Sequence, residues 1–428
     1  MLHIMVKEIL APVLAFLCFT LIIANKRFFV TPALSKKLLL TVYSLKAGVA
    51  LLYGYFYRSG LLTGGDTFLY FIDGNVIYIT FWTNPLIYLK LALGSNDYKP
   101  VPAALLPYTD EMRFWFDQSN YFIVRINALI RLFSFGVYNV HAIVFAFLSF
   151  TGTYNLYLFF ENKVNKKFLL RFILFGIPSF VFWTSGLHKD AVVLFSVGLV
   201  LYHLDMVVKS RYSLTNVLFI LLGLVTLGYS RVYSLLFLTP LFISMILQGK
   251  FQLSGSVIYK AIGSGVGGII IIAVILDIFN PKFSFLEEFL IRRDHFLNSQ
   301  GAMSFHVQGI PHDVSGVMKL LLQAVINPFI RPLPTDCNSL LSYAACLETW
   351  CLLFFLLYLL MTANIKSLFS NPYAFFCILF GLSTLFLVGL IVNNSGAIIR
   401  YRPIPMSFIL IGLYLLRNKS KGFISNSN

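Results

Sequence analysis

The chain has 428 residues, 58% of them hydrophobic and only 12% charged, with a mean hydropathy of +0.81. Soluble domains carry roughly 25% charged residues, so this composition argues against a soluble protein and for an integral membrane one. The net charge of +16 would suit a polyanion, but the basic residues punctuate apolar runs instead of forming a stripe with interleaved aromatics. That pattern argues against nucleic-acid binding.

Apolar windows of about 20 residues predict about eleven spans. They are centred near Phe16, Gly48, Phe147, Phe180, Val197, Leu221, Phe237, Ile271, Phe355, Leu382 and Leu410. The first run ends at Ile22-Ile23-Ala24 without a good small-x-small cleavage site, so it reads as a span and not as a signal peptide. Lys and Arg crowd alternate connectors: Lys26, Arg27, Lys36 and Lys37; Lys163, Lys166, Lys167 and Arg171; Lys209 and Arg211; Lys250; Lys366; and the tail. The positive-inside rule then puts the N-terminus outside and the C-terminus in the cytoplasm. Of the 17 acidic residues, only Glu161 and Asp205 fall on the cytoplasmic side.

The expected fold is therefore all-α, a polytopic membrane bundle forming a single domain over residues 1–428. Two extracytoplasmic helical or loop segments, 58–121 and 280–343, would form a cap. Within this frame Phe122–Phe133 reads as an interfacial helix, with a further span or re-entrant segment as the alternative. Leu286–Arg293 reads as a surface helix with Glu288 and Arg292 at i,i+4. Cys337 and Cys346 flank a loop and would pair in an oxidising compartment, or stay free thiols otherwise. Gly263–Gly268 would let membrane helices pack closely, and Lys46 would pair inside the bundle.

Three constellations carry chemistry. Gly64-Gly65-Asp66 brings a carboxylate to the membrane surface just after the second span, with Tyr70 one turn on. Asp66, Asp73 and Asp117 share that face as general bases or ligands for a hard cation, although Asp66 could equally be a helix cap. The run Trp183-Thr184-Ser185-Gly186-Leu187-His188-Lys189-Asp190 puts three ionisable side chains at the tip of a tight outer turn. There Lys189 and His188 could contact a phosphate, or Asp190 could merely cap the next helix. Arg400-Tyr401-Arg402-Pro403-Ile404-Pro405 places two arginines outside, against the topology rule, where guanidinium forks suit phosphate. Arg125 and Arg231 are further outer cations, Arg231 in a second short outer turn. His306, His312 and Asp313 are a less specific cluster.

Gly65-Asp66 with Tyr70 after an early span, an outer turn ending in Asp190, and Arg400-Tyr401-Arg402-Pro403 before a late span resemble polytopic GT-C-type glycosyltransferases. They resemble equally the EpsG-like and Wzy-like membrane proteins of bacterial polysaccharide synthesis. The aspartate follows the second span and lacks an adjacent acidic partner, which departs from the GT-C pattern. The resemblance implies an enzyme of the bacterial plasma membrane that works on the extracytoplasmic side. It would transfer a sugar or oligosaccharide from a polyprenyl (pyro)phosphate carrier, as glycosyltransferase or polymerase. Asp66 and Asp190 would be catalytic; His188, Lys189, Arg231, Arg400, Arg402, Arg125 and Tyr70 would bind substrate. Its partners would be the bilayer, the lipid-linked glycan and other polysaccharide-assembly proteins. The resemblance fixes no cofactor and is compatible with a divalent cation. The alternative is a transporter or flippase for a lipid-linked or anionic solute.

Overall fold

The computed structural model describes residues 2–32, 34–94, 96, 100–209, 211–266, 285–298, 303–305 and 314–417. Among these residues every extended regular element is a helix, and β structure is limited to isolated bridges. Among the described residues seven helices are long and apolar enough to cross a membrane, or nine if each of two bent pairs counts as one span. The protein is thus a polytopic, all-helical membrane protein. Two expected spans account for the difference from eleven. The one near Ile271 lies outside the described residues. Those near Leu221 and Phe237 form one helix, Leu214–Gly249, interrupted at Arg231 by a non-helical residue (φ −153°, ψ 82°). At 36 residues an unbroken helix would run about 54 Å, well beyond a hydrocarbon core of about 30 Å.

The chain divides into two compact units with interleaved ranges, 1–158, 181–203 and 217–232 in the first and the remainder in the second. No linker in the sequence marks these boundaries. The first unit is built on α1 (Leu2–Asn25), α2 (Lys36–Arg58), α3 (Thr67–Thr83), α4 (Pro85–Leu93), α5 (Gln118–Arg131) and α6 (Tyr138–Glu161). Local chemistry starts several of them. Ser35 accepts from the Leu38 N–H at the head of α2, Asn84 from Ile87 with Pro85 at the first turn of α4, and Asp117 from Asn120 at the head of α5.

The piece expected at the interface is part of α5, whose Tyr121, Ile123, Val124, Asn127, Ala128 and Ile130 are buried. Gly74 of α3 lets it approach: a Cβ there would stand 2.9 Å from the Asn127 Cβ. Asp73 is 2% exposed and takes the Phe114 N–H at 3.0 Å.

The break Lys167–Gly176 (α7, whose last turn is a π turn) and Pro178–Ser185 (α8) is bent by 48°. Lys189–Val208 (α9) follows, then Leu214–Gly249 (α10) with its break at Arg231. In the first unit α6 and α9 touch backbone to backbone. A Cβ on Gly198 would lie 2.2 Å from the Gly152 carbonyl oxygen, so only glycine fits.

The second unit holds Phe285–Asn298 (α11), Val314–Ile330 (α12), Leu340–Thr362 (α13), Pro372–Ile391 (α14), Ser395–Tyr401 (α15) and Pro403–Arg417 (α16). Every residue of α16 from Pro403 to Leu416 is buried, as expected of a helix apolar on all sides at the centre of a bundle. Its bend of 52° from α15 falls at Arg402. The basic connectors find acids here: Asp205 binds Lys163 (3.0 Å) and Lys209 (2.6 Å), and Glu161 meets Lys167 (3.4 Å).

Of the two readings of Cys337 and Cys346, the structure shows free thiols. Among the described residues nothing stands within 4 Å of a Cβ built on Gly263 or Gly265, so they bring no described helix close; the other glycines of that run are outside the described residues. So are His306, His312 and Asp313, and the side chains of Glu288 and Arg292.

Candidate functional site

The turn between α8 and α9 is tighter and more buried than its charges suggest. α8 ends at Ser185 and α9 starts at Lys189, leaving Gly186, Leu187 and His188 to turn the chain, closed by the His188 N–H donating to the Gly186 carbonyl at 2.9 Å. A Cβ on Gly186 would stand 2.5 Å from the Tyr53 ring, and the same ring lies 5.0 Å from the imidazole of His188. His188 is 0% exposed and Asp190 2% exposed. Only Lys189, half-buried, reaches outward.

Asp190 is the hub. Its Oδ1 lies 2.5 Å from Nη2 of Arg231, and its Oδ2 3.0 Å from Nδ1 of His188. The same Nδ1 is 3.1 Å from the Asp190 backbone N–H. A bare Nδ1 accepts that N–H; a protonated one donates to the carboxylate. Arg231, itself part of the first unit, sits at the break of α10 and is 8% exposed. Beside it the Tyr229 ring stacks on Phe122 of α5 (5.5 Å, 17°).

Lys189 begins a second, more open chain of polar contacts. Its Nζ donates to Ser119 Oγ (2.7 Å), and Ser119 donates to Asp117 Oδ1 (2.9 Å). Asp117 also accepts the backbone N–H of Asn120 (3.0 Å) and its side-chain amide (2.7 Å). Asn120 Oδ1 accepts from the buried Tyr70 hydroxyl at 2.5 Å. Burial alone would raise the Asp117 carboxyl, but the Lys189 charge and the hydrogen bonds from Asn120 and Ser119 outweigh it and hold it below its usual range. Asp73 goes the other way: burial raises it despite backbone hydrogen bonds from Phe114 and Arg113 and the Arg113 charge.

The candidate residues therefore divide as follows. His188, Lys189, Asp190, Arg231 and Tyr70 share one region of the first unit. Asp66 is the half-buried residue just before α3, one turn ahead of Tyr70. Arg125 of α5 donates to the Gly94 carbonyl that ends α4 and lies over the Tyr121 ring at 4.7 Å. Arg400 and Arg402 belong to the second unit, where Arg402 donates to the carbonyls of Arg331 (2.9 Å) and Pro328 (3.4 Å) and to Thr349 Oγ1 (2.6 Å).

Sequence reasoning did not place Ser119 and Asn120 in the site. The signal was the Asp117-Gln118-Ser119-Asn120 start of an apolar-periodic helix, a capping pattern that also gathers polar groups. Below the turn, Lys46 is fully buried mid-helix and donates to Ser149 (2.8 Å) and Thr184 (2.9 Å), the internal pairing that its depth implied. Among the described residues no group of three His, Cys, Asp or Glu could hold a metal ion. No family model, curated protein or solved structure matches the chain.

Proposed function

We propose that this protein transfers a sugar or oligosaccharide from a polyprenyl (pyro)phosphate in cell-surface polysaccharide synthesis, in the manner of the EpsG-like, Wzy-like or GT-C-type proteins that its motifs resemble. The observation carrying this reading is the meeting of Lys189 and Arg231 with Asp190, His188 and the Asp117–Tyr70 chain at the ends of membrane helices. Two cations, Arg231 paired with Asp190 and the half-exposed Lys189 held by Ser119, suit a phosphate leaving group at the membrane surface.

In this reading Asp66 takes the proton of the acceptor hydroxyl as its oxygen attacks the anomeric carbon. The bond from that carbon to the phosphate oxygen breaks, and the phosphate leaves with the electron pair beside Lys189. Asp190 orients Arg231 and His188, and Tyr70 and Asn120 line the acceptor side. The topology proposed with it has about eleven spans, the N-terminus outside, the C-terminus cytoplasmic and the working face extracytoplasmic, in a bacterial plasma membrane.

The test is mass spectrometry of lipid-linked glycans after deletion of the gene. A polymerase predicts accumulated single repeat units and a monosaccharide transferase predicts a truncated unit. An unchanged lipid-linked pool would sink both. The second reading, a transporter or flippase, draws support from the two broken spans at Ile177 and Arg402, since discontinuous helices build many transport sites. It predicts complete lipid-linked units trapped on the cytoplasmic side, distinguished by their protection from an impermeant glycosidase.

A further inference from the structure

Within the second unit the two helix breaks carry a polar set inside apolar helices. Glu348 is the only acidic or basic residue of α13, and as its ninth residue it lies about 12 Å from the helix start. Its Oε1 accepts the Ser179 backbone N–H at 2.8 Å, at the N-terminus of the half-helix α8, where the backbone carries positive partial charge. Arg402, at the other break, binds the hydroxyl of neighbouring Thr349 and lies within electrostatic reach of Glu348.

Two donors in this set have no acceptor. Ser179 is 5% exposed and its Oγ has no hydrogen-bond partner; Arg402 is 2% exposed and its Nε likewise has none. Buried donors without acceptors are costly, so they persist where something else gains from them. A helix N-terminus, a serine hydroxyl and a guanidinium are together an anion-binding set. A cation there would face both Arg402 and the positive helix end.

We propose that Ser179, the N-terminus of α8 and Arg402 form an oxyanion site for a phosphate group, and that Glu348 is the resident anion which an entering phosphate displaces. The phosphate is a lipid headgroup or a free ion. This site lies in the second unit and is independent of the glycan-transfer reading, which stands or falls on the first.

The full chain in detergent micelles tests it, with Trp350 two residues from Glu348 as a fluorescent reporter. The probes are inorganic phosphate, geranylgeranyl phosphate and geranylgeraniol. Removing the resident charge in Glu348→Gln should tighten binding of a phosphate-bearing probe about tenfold. Adding Ser179→Ala should abolish most of that gain, and geranylgeraniol should bind all variants alike. A gain with inorganic phosphate assigns a free anion; a gain confined to geranylgeranyl phosphate assigns a headgroup. Equal affinity in Glu348→Gln and the unchanged chain overturns the proposal, as does a gain that survives Ser179→Ala. If Glu348→Gln fails to fold, Ser179→Ala alone decides: several-fold weaker phosphate binding supports the site and unchanged binding overturns it.

Discussion

Asp190 has two partners at hydrogen-bond distance, and both it and they are nearly buried. Removing one partner of a buried pair leaves an uncompensated charge and costs about 3–5 kcal/mol. Arg231→Ala should therefore lower the thermal unfolding temperature in detergent far more than Lys189→Ala, whose ammonium is half-exposed. Asp190→Asn combined with Arg231→Met should recover most of that loss, and a strictly additive double variant would show that the pair is not coupled. Asp117 supplies a pH signature. Its carboxyl is depressed in the folded protein, so its contribution is complete above the unfolded value of about 3.9 and is lost as pH falls through the folded one. The gap in unfolding temperature between the unchanged chain and Asp117→Asn, which keeps the helix cap, should be constant above about pH 5 and close in acid. A gap that widens in acid would reverse the assignment.

At the scale of elements, close packing is most exposed to test where α6 meets α9. Gly198→Ala pushes a methyl group against the Gly152 carbonyl and should cost about 1–3 kcal/mol of stability, typical of overpacking. Gly263→Ala, with open space around it, should be close to neutral; equal losses at both sites would mean that the contact is not tight. Much of this level was legible in the sequence. Ser35, Asn84, Asp117, Ser339, Asn371 and Asn394 all cap helices through their side chains, which is what short polar residues before apolar runs imply. Pro178 and Pro403 both stand just after bends, because proline withholds the N–H that would continue the previous turn. What could not be read was which face of each element turns inward. His188-Lys189-Asp190 looked like a solvated tip because hydropathy reports residue type and not partners. Asp190 is buried by Arg231, about 40 residues on, and no local pattern announces that pairing.

The whole molecule shows the same division. Composition alone gives a polytopic helical membrane protein, and the apolar helices bear that out. The interleaving of two units is invisible in the sequence, since unit boundaries fall inside helices, as after Leu158 in α6, without any Gly- or Pro-rich linker. Arg400 and Arg402 belong to the second unit, and the proposed chemistry is assigned to Asp66, Lys189 and Arg231 of the first. The most direct measurement is the lipid-linked glycan pool of cells whose only copy carries Lys189→Met or Asp66→Asn, expressed in the membrane at the unchanged level. The proposed function predicts that each variant accumulates the untransferred polyprenyl-linked donor and loses surface glycan, as deletion does. Normal donor levels and full-length surface glycan in both variants would contradict it.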